Sequence, residues 1–182
     1  MEKIQLVAGV LFFIGFVPYI WGVLKNKVRP NKATWMIWSS VNLLVLIAMS
    51  ASNTLNGQIV GATIGSVIVA LLSFRYGTAT WSFTEIICVG VSILGIVAWV
   101  RTNDPEVSIL LNAIVMIIGA IPTLIAAWKH PERESRVAWT LYWLSCVCTI
   151  IAIPAYTIGH VAPALGFALP DTIMMYLLFR RR

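Results

Sequence analysis

The chain of 182 residues is 59% hydrophobic and only 11% charged, and its formal net charge is +6. Together with a mean hydropathy of +0.88, this composition excludes a soluble globular domain and indicates an integral membrane protein. In such a protein the basic residues report first on orientation in the membrane, so the positive charge does not predict a nucleic-acid partner.

Apolar segments long enough to cross about 30 Å of hydrocarbon recur along the whole chain. The connections between them are too short to hold a soluble domain. We therefore predict an all-α integral membrane protein with a single membrane domain, 1–182. We expect membrane lipid to surround this domain. The seven predicted transmembrane helices are 4–24, 33–51, 58–74, 81–100, 107–128, 137–156 and 161–179.

The basic residues are divided unequally between the two sides of these predicted helices. Only Lys3 and Arg101 fall on one side. Because positive residues are enriched on the cytoplasmic side, we expect a multi-pass protein of the cell membrane (plasma or inner), with the N-terminus outside and the C-terminus in the cytoplasm. The eleven basic residues on the expected cytoplasmic side are Lys25, Lys27, Arg29, Lys32, Arg75, Lys129, Arg133, Arg136, Arg180, Arg181 and Arg182.

Two pairs of segments are related to each other. "IGFVPYIWGVLKNKVRPNKATW" at 14–35 aligns with "IGAIPTLIAAWKHPERESRVAW" at 118–139, and "GATIGSVIVALLSFR" at 61–75 aligns with "GFALPDTIMMYLLFR" at 166–180. Chance similarity between apolar segments would appear as shared Leu and Ile, whereas most of these matches are Gly, Pro, Trp, Phe and basic residues. The matched positions include Gly15/Gly119, Pro18/Pro122, Lys25/Lys129, Arg29/Arg133, Trp35/Trp139, Gly61/Gly166, Phe74/Phe179 and Arg75/Arg180.

The repeat predicts a 3+1+3 architecture. Three predicted helices lie between the first helix of one copy and the first helix of the other, so the two copies run in the same direction. The first three-helix repeat is 4–75, the linker helix is 81–100, and the second repeat is 107–182. Parallel repeats of this kind are one known way to build a transporter, with the site near the membrane midplane.

The two copies resemble the SWEET and PQ-loop superfamily of small-solute transporters. The resemblance rests on Pro18-Tyr19 and Pro122-Thr123, at the position of the family's Pro-Gln pair, and on the basic segments "RPNKATW" and "PERESRVAW" that follow. It implies the 3+1+3 plan, an N-terminus outside and transport of a small solute.

Pro18 and Pro122 are candidate hinges. Proline lacks an N–H and clashes with the carbonyl one turn back, so each loosens its helix at a matching place in the two repeats. A pair of symmetric hinges for a cytoplasmic gate is one interpretation, and a pair of static, well-packed kinks is the other.

Polar and aromatic residues at membrane depth define the candidate binding site. Trp38 and Asn42 share one helical face, one turn apart, and their counterparts in the second repeat are Tyr142 and Cys146. Polar groups at this depth usually face the bundle interior or a cavity. We expect a stacking wall from Trp38 and Tyr142 and hydrogen bonds from Asn42.

Asp171, the counterpart of Ser66, is the strongest candidate for proton coupling. Pro170 precedes it and removes a helical hydrogen bond near Gly166, an arrangement that suits a cation, a proton or a hydroxyl-rich solute. A protonated carboxyl that joins helices is the structural alternative. Glu85 is a second intramembrane carboxyl, close to the cytoplasmic interface, where it serves proton coupling or pairs with a basic residue.

Catalysis has no visible apparatus, so we expect no catalytic residues, no cofactor and no metal site. No predicted helix holds a lysine for retinal, and there is no Ser-His pair, paired carboxylates or phosphate loop. Cys88, Cys146 and Cys148 all fall inside predicted helices and suggest small buried residues rather than a disulfide framework.

These observations predict a transporter that moves a small polar solute, such as a sugar or an amino acid, by alternating access, with or without proton coupling. The alternative is a seven-helix receptor or sensor that binds a small ligand without moving it. The "GATIG" pair of glycines permits close helix approach, within one chain or in a homo-oligomer. The predicted solute-binding residues are Trp38, Asn42, Ser66, Tyr142, Cys146 and Asp171.

Overall fold

The computed structural model describes residues 2–51, 55, 57–78, 81–101 and 105–180. Arg181 and Arg182, which the sequence places in the basic tail, lie outside these ranges. Helices and the connections between them make up the described part of the chain, with no strand. The α-helices are α1 (Glu2–Leu24), α2 (Lys32–Ala51), α3 (Gly57–Tyr76), α4 (Phe83–Arg101), α5 (Pro105–Lys129), α6 (Arg136–Ile151) and α7 (Ile158–Phe179), with a 3-10 turn at Pro131–Arg133.

The prediction of an all-α membrane protein is confirmed. Within the described residues, four segments are long and apolar enough to cross a membrane: Lys3–Leu24, Gly57–Tyr76, Ile109–Lys129 and Ile158–Phe179. They belong to α1, α3, α5 and α7. The apolar parts of the other three helices are shorter, at Lys32–Ile47, Phe83–Ala98 and Arg136–Ile151.

The sixth helix is shorter than predicted. We expected it to span 137–156, but α6 ends at Ile151 and a turn closes at Ala152, whose amide donates to the carbonyl of Cys148 at 3.0 Å. Pro154 explains the difference, because proline has no N–H for the helix and pushes the residue before it into an extended conformation. The following helix, predicted from 161, begins earlier, at Ile158.

The helix ends at one side of the bundle are closed by side-chain caps. We call this side the basic end, since it carries the connections 25–31 and 130–135. Asn31 Oδ1 accepts a hydrogen bond from the amide of Thr34 at 3.2 Å, and Ser135 Oγ accepts one from the amide of Ala138 at 3.3 Å. Asn and Ser are favoured at this position because they satisfy an unpaired amide of the first turn.

The helices pack in a pattern with two similar halves. In the first, α1 and α2 both contact α3, and in the second, α5 and α6 both contact α7. The halves meet along two interfaces, α1 against α6 and α2 against α5, while α4 packs on α5 and α2. The seam between the halves is therefore lined by four helices, and it holds most of the buried aromatic side chains.

Glycines allow α1 and α3 to approach each other closely. A Cβ added to Gly9 would lie 2.8 Å from the backbone carbonyl carbon of Gly57, and a Cβ added to Gly61 would lie 3.3 Å from the backbone oxygen of Gly9. In lipid, small residues of this kind let helix backbones pack without intervening side chains. The outward faces of α1 and α4 carry exposed Leu, Ile, Val and aromatic side chains, which suit a hydrocarbon surrounding.

We expect Gly9→Ala to destabilise the fold. The added methyl group would meet backbone atoms of a packed helix, which cannot move aside, and overpacking of this kind costs about 1–3 kcal/mol of unfolding free energy. Gly90→Ala in α4 is the matched control, because no heavy atom lies within 4 Å of a Cβ added there. Thermal unfolding in detergent, followed by circular dichroism, checks the pair; equal losses for both variants would contradict the packing described.

Candidate functional site

A buried cavity lies in the seam between the two halves, at the middle of the bundle. Its volume, counted as the space open to the centre of a water molecule, is about 20 Å³. That is room for one or two water molecules and no more. The lining residues are Phe12, Phe16, Trp35, Trp38, Asn42, Ser66, Met116, Trp139, Tyr142, Gly166, Phe167, Pro170 and Asp171.

Asp171 forms the carboxylate wall of this cavity. It lies in α7 directly after Pro170 and is buried. Because proline has no N–H, the carbonyl of Gly166, one turn back, lacks its helical donor. Asp171 Oδ2 accepts a hydrogen bond from Cys146 Sγ of α6 at 3.3 Å. The cavity is therefore lined by a carboxyl group and by Gly166, whose carbonyl has no proline N–H from which to accept a hydrogen bond.

Asn42 and Ser66 form the facing polar wall. Asn42 Nδ2 donates to Ser66 Oγ at 3.1 Å, which joins α2 to α3, and Thr63 Oγ1 lies 3.2 Å from the carbonyl oxygen of Asn42. The other amide atom, Asn42 Oδ1, has no hydrogen-bond partner among the described residues, and neither does the hydroxyl of Tyr142. Buried polar atoms are nearly always paired, so these two atoms are available to a ligand or a water molecule.

A chain of polar side chains links Asp171 to Thr149. Gln58 of α3 is buried; its Nε2 lies 3.6 Å from Cys146 Sγ and 3.3 Å from Ser145 Oγ. Its Oε1 accepts a hydrogen bond from Thr149 Oγ1 at 2.9 Å. Since Cys146 in turn donates to Asp171, the polar groups run from Asp171 to Thr149 through side chains of α3 and α6.

Aromatic rings fill the seam on the basic-end side of the cavity. The ring centroids of Trp35 and Trp38 lie 5.4 Å apart, those of Trp38 and Trp139 6.2 Å apart, and those of Trp139 and Tyr142 5.7 Å apart. All three pairs pack edge to face, an arrangement that aromatic rings prefer. Trp38 Nε1 also donates to the carbonyl oxygen of Met116 in α5 at 2.9 Å. The Trp38–Trp139 ring contact and the Trp38–Met116 hydrogen bond cross between the two halves.

The basic end is closed by a set of hydrogen bonds around Glu134. Trp139 Nε1 donates to Glu134 Oε2 at 2.8 Å, and the hydroxyl of Tyr19 is also hydrogen-bonded to Glu134. Trp35 Nε1 donates to the hydroxyl of Tyr19 at 3.1 Å. Burial raises the pKa of Glu134 to about 7, although the two hydrogen bonds act to lower it. The backbone amide of Arg29 also donates to the carbonyl of Arg133 at 3.2 Å, which ties the two connections together.

The opposite end of the seam holds an open recess. Its volume, measured as for the central cavity, is about 220 Å³. Gln5, Gln58, Thr149 and His160 supply its hydrogen-bonding groups. Phe167 lines both the recess and the central cavity, so this ring stands between them. The central cavity is thus closed toward the basic end by several layers of side chains and separated from the recess by Phe167.

The structure brings the predicted solute-binding residues together. Trp38, Asn42, Ser66, Tyr142 and Asp171 all line the central cavity, and Cys146 is hydrogen-bonded to Asp171. Their role in binding stays a prediction. Sequence reasoning missed Phe12, Phe16, Met116 and Phe167, which look like ordinary apolar positions, and Gln58, a polar residue inside a predicted helix that could have been noticed.

Glu85 lies apart from this cavity. It sits in the first turn of α4, where it accepts a hydrogen bond from the amide of Ser82 at 2.5 Å while Ser82 Oγ accepts from the amide of Glu85. This reciprocal pair is a capping box. Glu85 also accepts a hydrogen bond from Asn31 Nδ2. These contacts give Glu85 a structural role at the basic end, and the proton-coupling prediction for it stays untested.

The two candidate hinge prolines lie within unbroken helices. Pro18 is inside α1 and Pro122 is inside α5. Each is next to a buried residue of the basic end, Tyr19 in the first case and Thr123 in the second. The hinge function stays a prediction.

Comparisons of this chain with protein-family models, with curated proteins and with solved structures found no match. Function is therefore inferred from the geometry of the described residues.

Two hydroxyl deletions should differ in their effect on stability. Ser145 Oγ donates to the carbonyl of Ala8 at 2.7 Å and accepts from Gln58, so we expect Ser145→Ala to cost about 1–3 kcal/mol of unfolding free energy. Tyr142→Phe removes a hydroxyl that has no described partner, and it should leave stability nearly unchanged. Thermal unfolding in detergent measures both; a larger loss for Tyr142→Phe would show that its hydroxyl is paired in the folded protein.

Proposed function

We propose that this protein moves a small polar solute across a membrane by alternating access, with the central cavity as the solute-binding site. One observation carries the proposal: a buried cavity with unpaired polar atoms lies where two similar halves meet, closed toward one end and adjoining an open recess at the other, with Phe167 lining both. A transporter needs such a site, with routes that open to either side in turn.

The packing of the helices supports the 3+1+3 arrangement with seven spans. The contacts of α1, α2 and α3 have counterparts among α5, α6 and α7, and α1 against α6 is the counterpart of α5 against α2. The helix α4 stands outside both triplets, where a linker helix would lie. We propose that α2, α4 and α6 also cross the membrane, because helices packed at the same level as α1, α3, α5 and α7 share their depth.

Matching glycines support the same repeat. A Cβ added to Gly15 would lie 2.5 Å from Cε1 of Tyr142, and one added to Gly119 would lie 2.6 Å from Cγ2 of Ile37 and 3.4 Å from Cδ1 of Trp38. Since Trp38 and Tyr142 are matching positions of the two repeats, each glycine receives the equivalent side chains of the opposite half. Chance similarity would not reproduce these paired contacts.

The positive-inside rule assigns the basic end to the cytoplasm and the N-terminus to the outside. With this orientation the described conformation is closed to the cytoplasm, and its recess faces outward. The SWEET and PQ-loop superfamily remains our proposed family, on the basis of the proline and basic-loop repeat together with this arrangement of helices.

The chemistry of the cavity favours a small polar solute. Its walls combine the indole of Trp38 with the amide of Asn42, the hydroxyl of Ser66 and the carboxyl of Asp171. A cavity of about 20 Å³ cannot admit a sugar or an amino acid as it stands. The aromatic side chains around it must therefore move when a solute enters, and bending at Pro18 and Pro122 is the motion we propose.

Asp171 is the residue that we propose to couple transport to protons. It is buried and accepts a hydrogen bond from the thiol of Cys146, and the polar chain through Gln58 and Thr149 connects it to the recess. A carboxyl at membrane depth marks an ion or proton pathway more often than a structural contact.

We expect proteoliposomes to take up one or more compounds from a mixed panel of labelled sugars, amino acids and organic ions. An imposed gradient of about one pH unit should increase this uptake, and Asp171→Asn should remove the increase, because asparagine cannot release a proton. Glu132→Gln, which changes an exposed carboxyl at the basic end, is the control. Gradient-driven uptake that survives in Asp171→Asn would contradict the coupling role.

Locking the basic end distinguishes a transporter from a receptor. The amide of Arg29 and the carbonyl of Arg133 are 3.2 Å apart, so cysteines at both positions lie within reach of a disulfide. We expect the oxidised double variant Arg29→Cys/Arg133→Cys to lose more than about 90% of its uptake and to regain it on reduction, whereas either single variant should be unaffected. Full uptake by the oxidised form would contradict alternating access, and ligand binding without any uptake, locked or not, would favour a receptor.

A further inference from the structure

The acceptor that closes the basic end breaks the symmetry of the two halves. Trp35 and Trp139 are matching residues, and both donate indole hydrogen bonds into one chain that passes through Tyr19 to Glu134. The position that matches Glu134 in the first half is Pro30, which has no side-chain acceptor. A single carboxyl therefore receives hydrogen bonds from both halves.

Glu134 is enclosed by uncharged and aromatic groups. It is buried, and the titratable side chains that interact with it from the packed helices are the phenols of Tyr19 and Tyr142. The nearby basic side chains of Arg29, Arg133 and Arg136 are exposed. The other charged side chains at the basic end belong to Lys25, Lys27, Lys32, Arg75, Glu85, Lys129, Glu132 and Arg180, and His130 lies there too.

At least four of these groups have other contacts. The guanidinium of Arg136 lies over the ring of Phe179 and that of Arg180 over the ring of Trp128. His130 and Glu132 pair with each other at 3.1 Å. Burial, rather than a neighbouring charge, has the largest effect on the pKa of Glu134.

We propose that Glu134 is a proton-binding site that holds the basic end closed and releases its proton to that side of the membrane when the end opens. The inference rests on the proposed function for its place in a transport cycle, but the coupling of this proton to closure stands on the burial of Glu134 in the closed end, where the hydrogen-bond chain holds it. The chain can be satisfied with the proton bound: Trp139 still donates to one carboxyl oxygen, and the carboxyl O–H donates to the hydroxyl of Tyr19, which can both donate and accept.

Opening the basic end would separate these partners and expose Glu134 to water. In the closed state its pKa is about 7, and in water it returns to its usual value near 4.5. The closed state therefore binds the proton more tightly than the open state. Between these two pH values the closed form holds a proton that the open form has lost, so the ratio of closed to open protein falls about tenfold for each unit of rising pH. Outside this window the ratio does not depend on Glu134.

Spin labels on the two connections report this closure directly. The labels are attached at Arg29→Cys and Arg133→Cys. The labelled chain also carries Cys88→Ala and Cys148→Ala and keeps the buried Cys146. When the basic end is closed, the spectrum should show strong dipolar broadening. The measurement is made on the full chain in lipid nanodiscs between pH 4 and pH 8. It needs no solute and no transport, so its failure and the failure of the proposed function are distinguishable.

We expect the broadened fraction to decrease as the pH rises through the window. Glu134→Gln should remain broadened at every pH, because glutamine stays neutral and can keep both hydrogen bonds. The control Glu132→Gln changes an exposed residue two positions away. Its broadened fraction should depend on pH in the same way as that of the chain with Glu132 and Glu134 unchanged. A pH-independent spectrum in the unmodified chain, or a Glu134→Gln variant that keeps its pH response, would overturn the proposal.

A second variant tests the hydrogen bond itself. Trp139→Phe keeps an aromatic ring but removes the indole donor that favours the charged carboxylate, so the upper edge of the pH window should move to higher pH. This result would also decide the case if Glu134→Gln failed to fold by size-exclusion chromatography. An unmoved edge would show that Glu134 does not act through Trp139.

Discussion

The central constraint on this protein is that polar side chains inside a membrane bundle must find partners within the protein. The described structure meets it by placing these side chains around the seam where α1 packs on α6 and α2 packs on α5. Asn42 bonds to Ser66 within one unit, Cys146 bonds to Asp171 within the other, and Gln58 joins the two. Two of the buried atoms left without partners, Asn42 Oδ1 and the hydroxyl oxygen of Tyr142, belong to residues that line the central cavity.

The two ends of the seam are closed by different kinds of side-chain contact. At the basic end, indoles, a phenol and one carboxyl close a continuous hydrogen-bond chain between the halves. At the opposite end, the apolar ring of Phe167 lines both the central cavity and the recess. A single ring can change rotamer without breaking a hydrogen bond, whereas the basic end opens only when several bonds break together. The asymmetry identifies the more and the less easily opened route to the centre.

Close packing around the central cavity depends on glycines that receive aromatic rings. Gly65 accommodates the ring of Phe16, because a Cβ added there would lie 2.0 Å from Cδ2 of that ring, and Gly15 accommodates Tyr142 in the same way. Both rings line the central cavity. The glycines thus determine where the two rings lie relative to the cavity. The cavity is small because aromatic rings fill the seam, not because the helices are in direct contact there.

The sequence by itself determined the class of protein, the positions of the helices and the polar residues of the central wall. Run length and hydropathy placed most helix ends within a few residues, because a span is set by local composition, and helical spacing put Trp38 and Asn42 on one face. The end of α6 at Ile151 was missed, although Pro154 signals it locally.

Only the tertiary structure decided that Phe12 and Phe167 complete the cavity and that Gln58 contacts Cys146. It also decided that Glu134 accepts a hydrogen bond from Trp139 and is hydrogen-bonded to Tyr19. Most of these contacts join residues far apart in the chain, such as Gln58 and Cys146, which are 88 positions apart. Such partners are chosen by the packing of whole helices, which no local pattern of residues encodes.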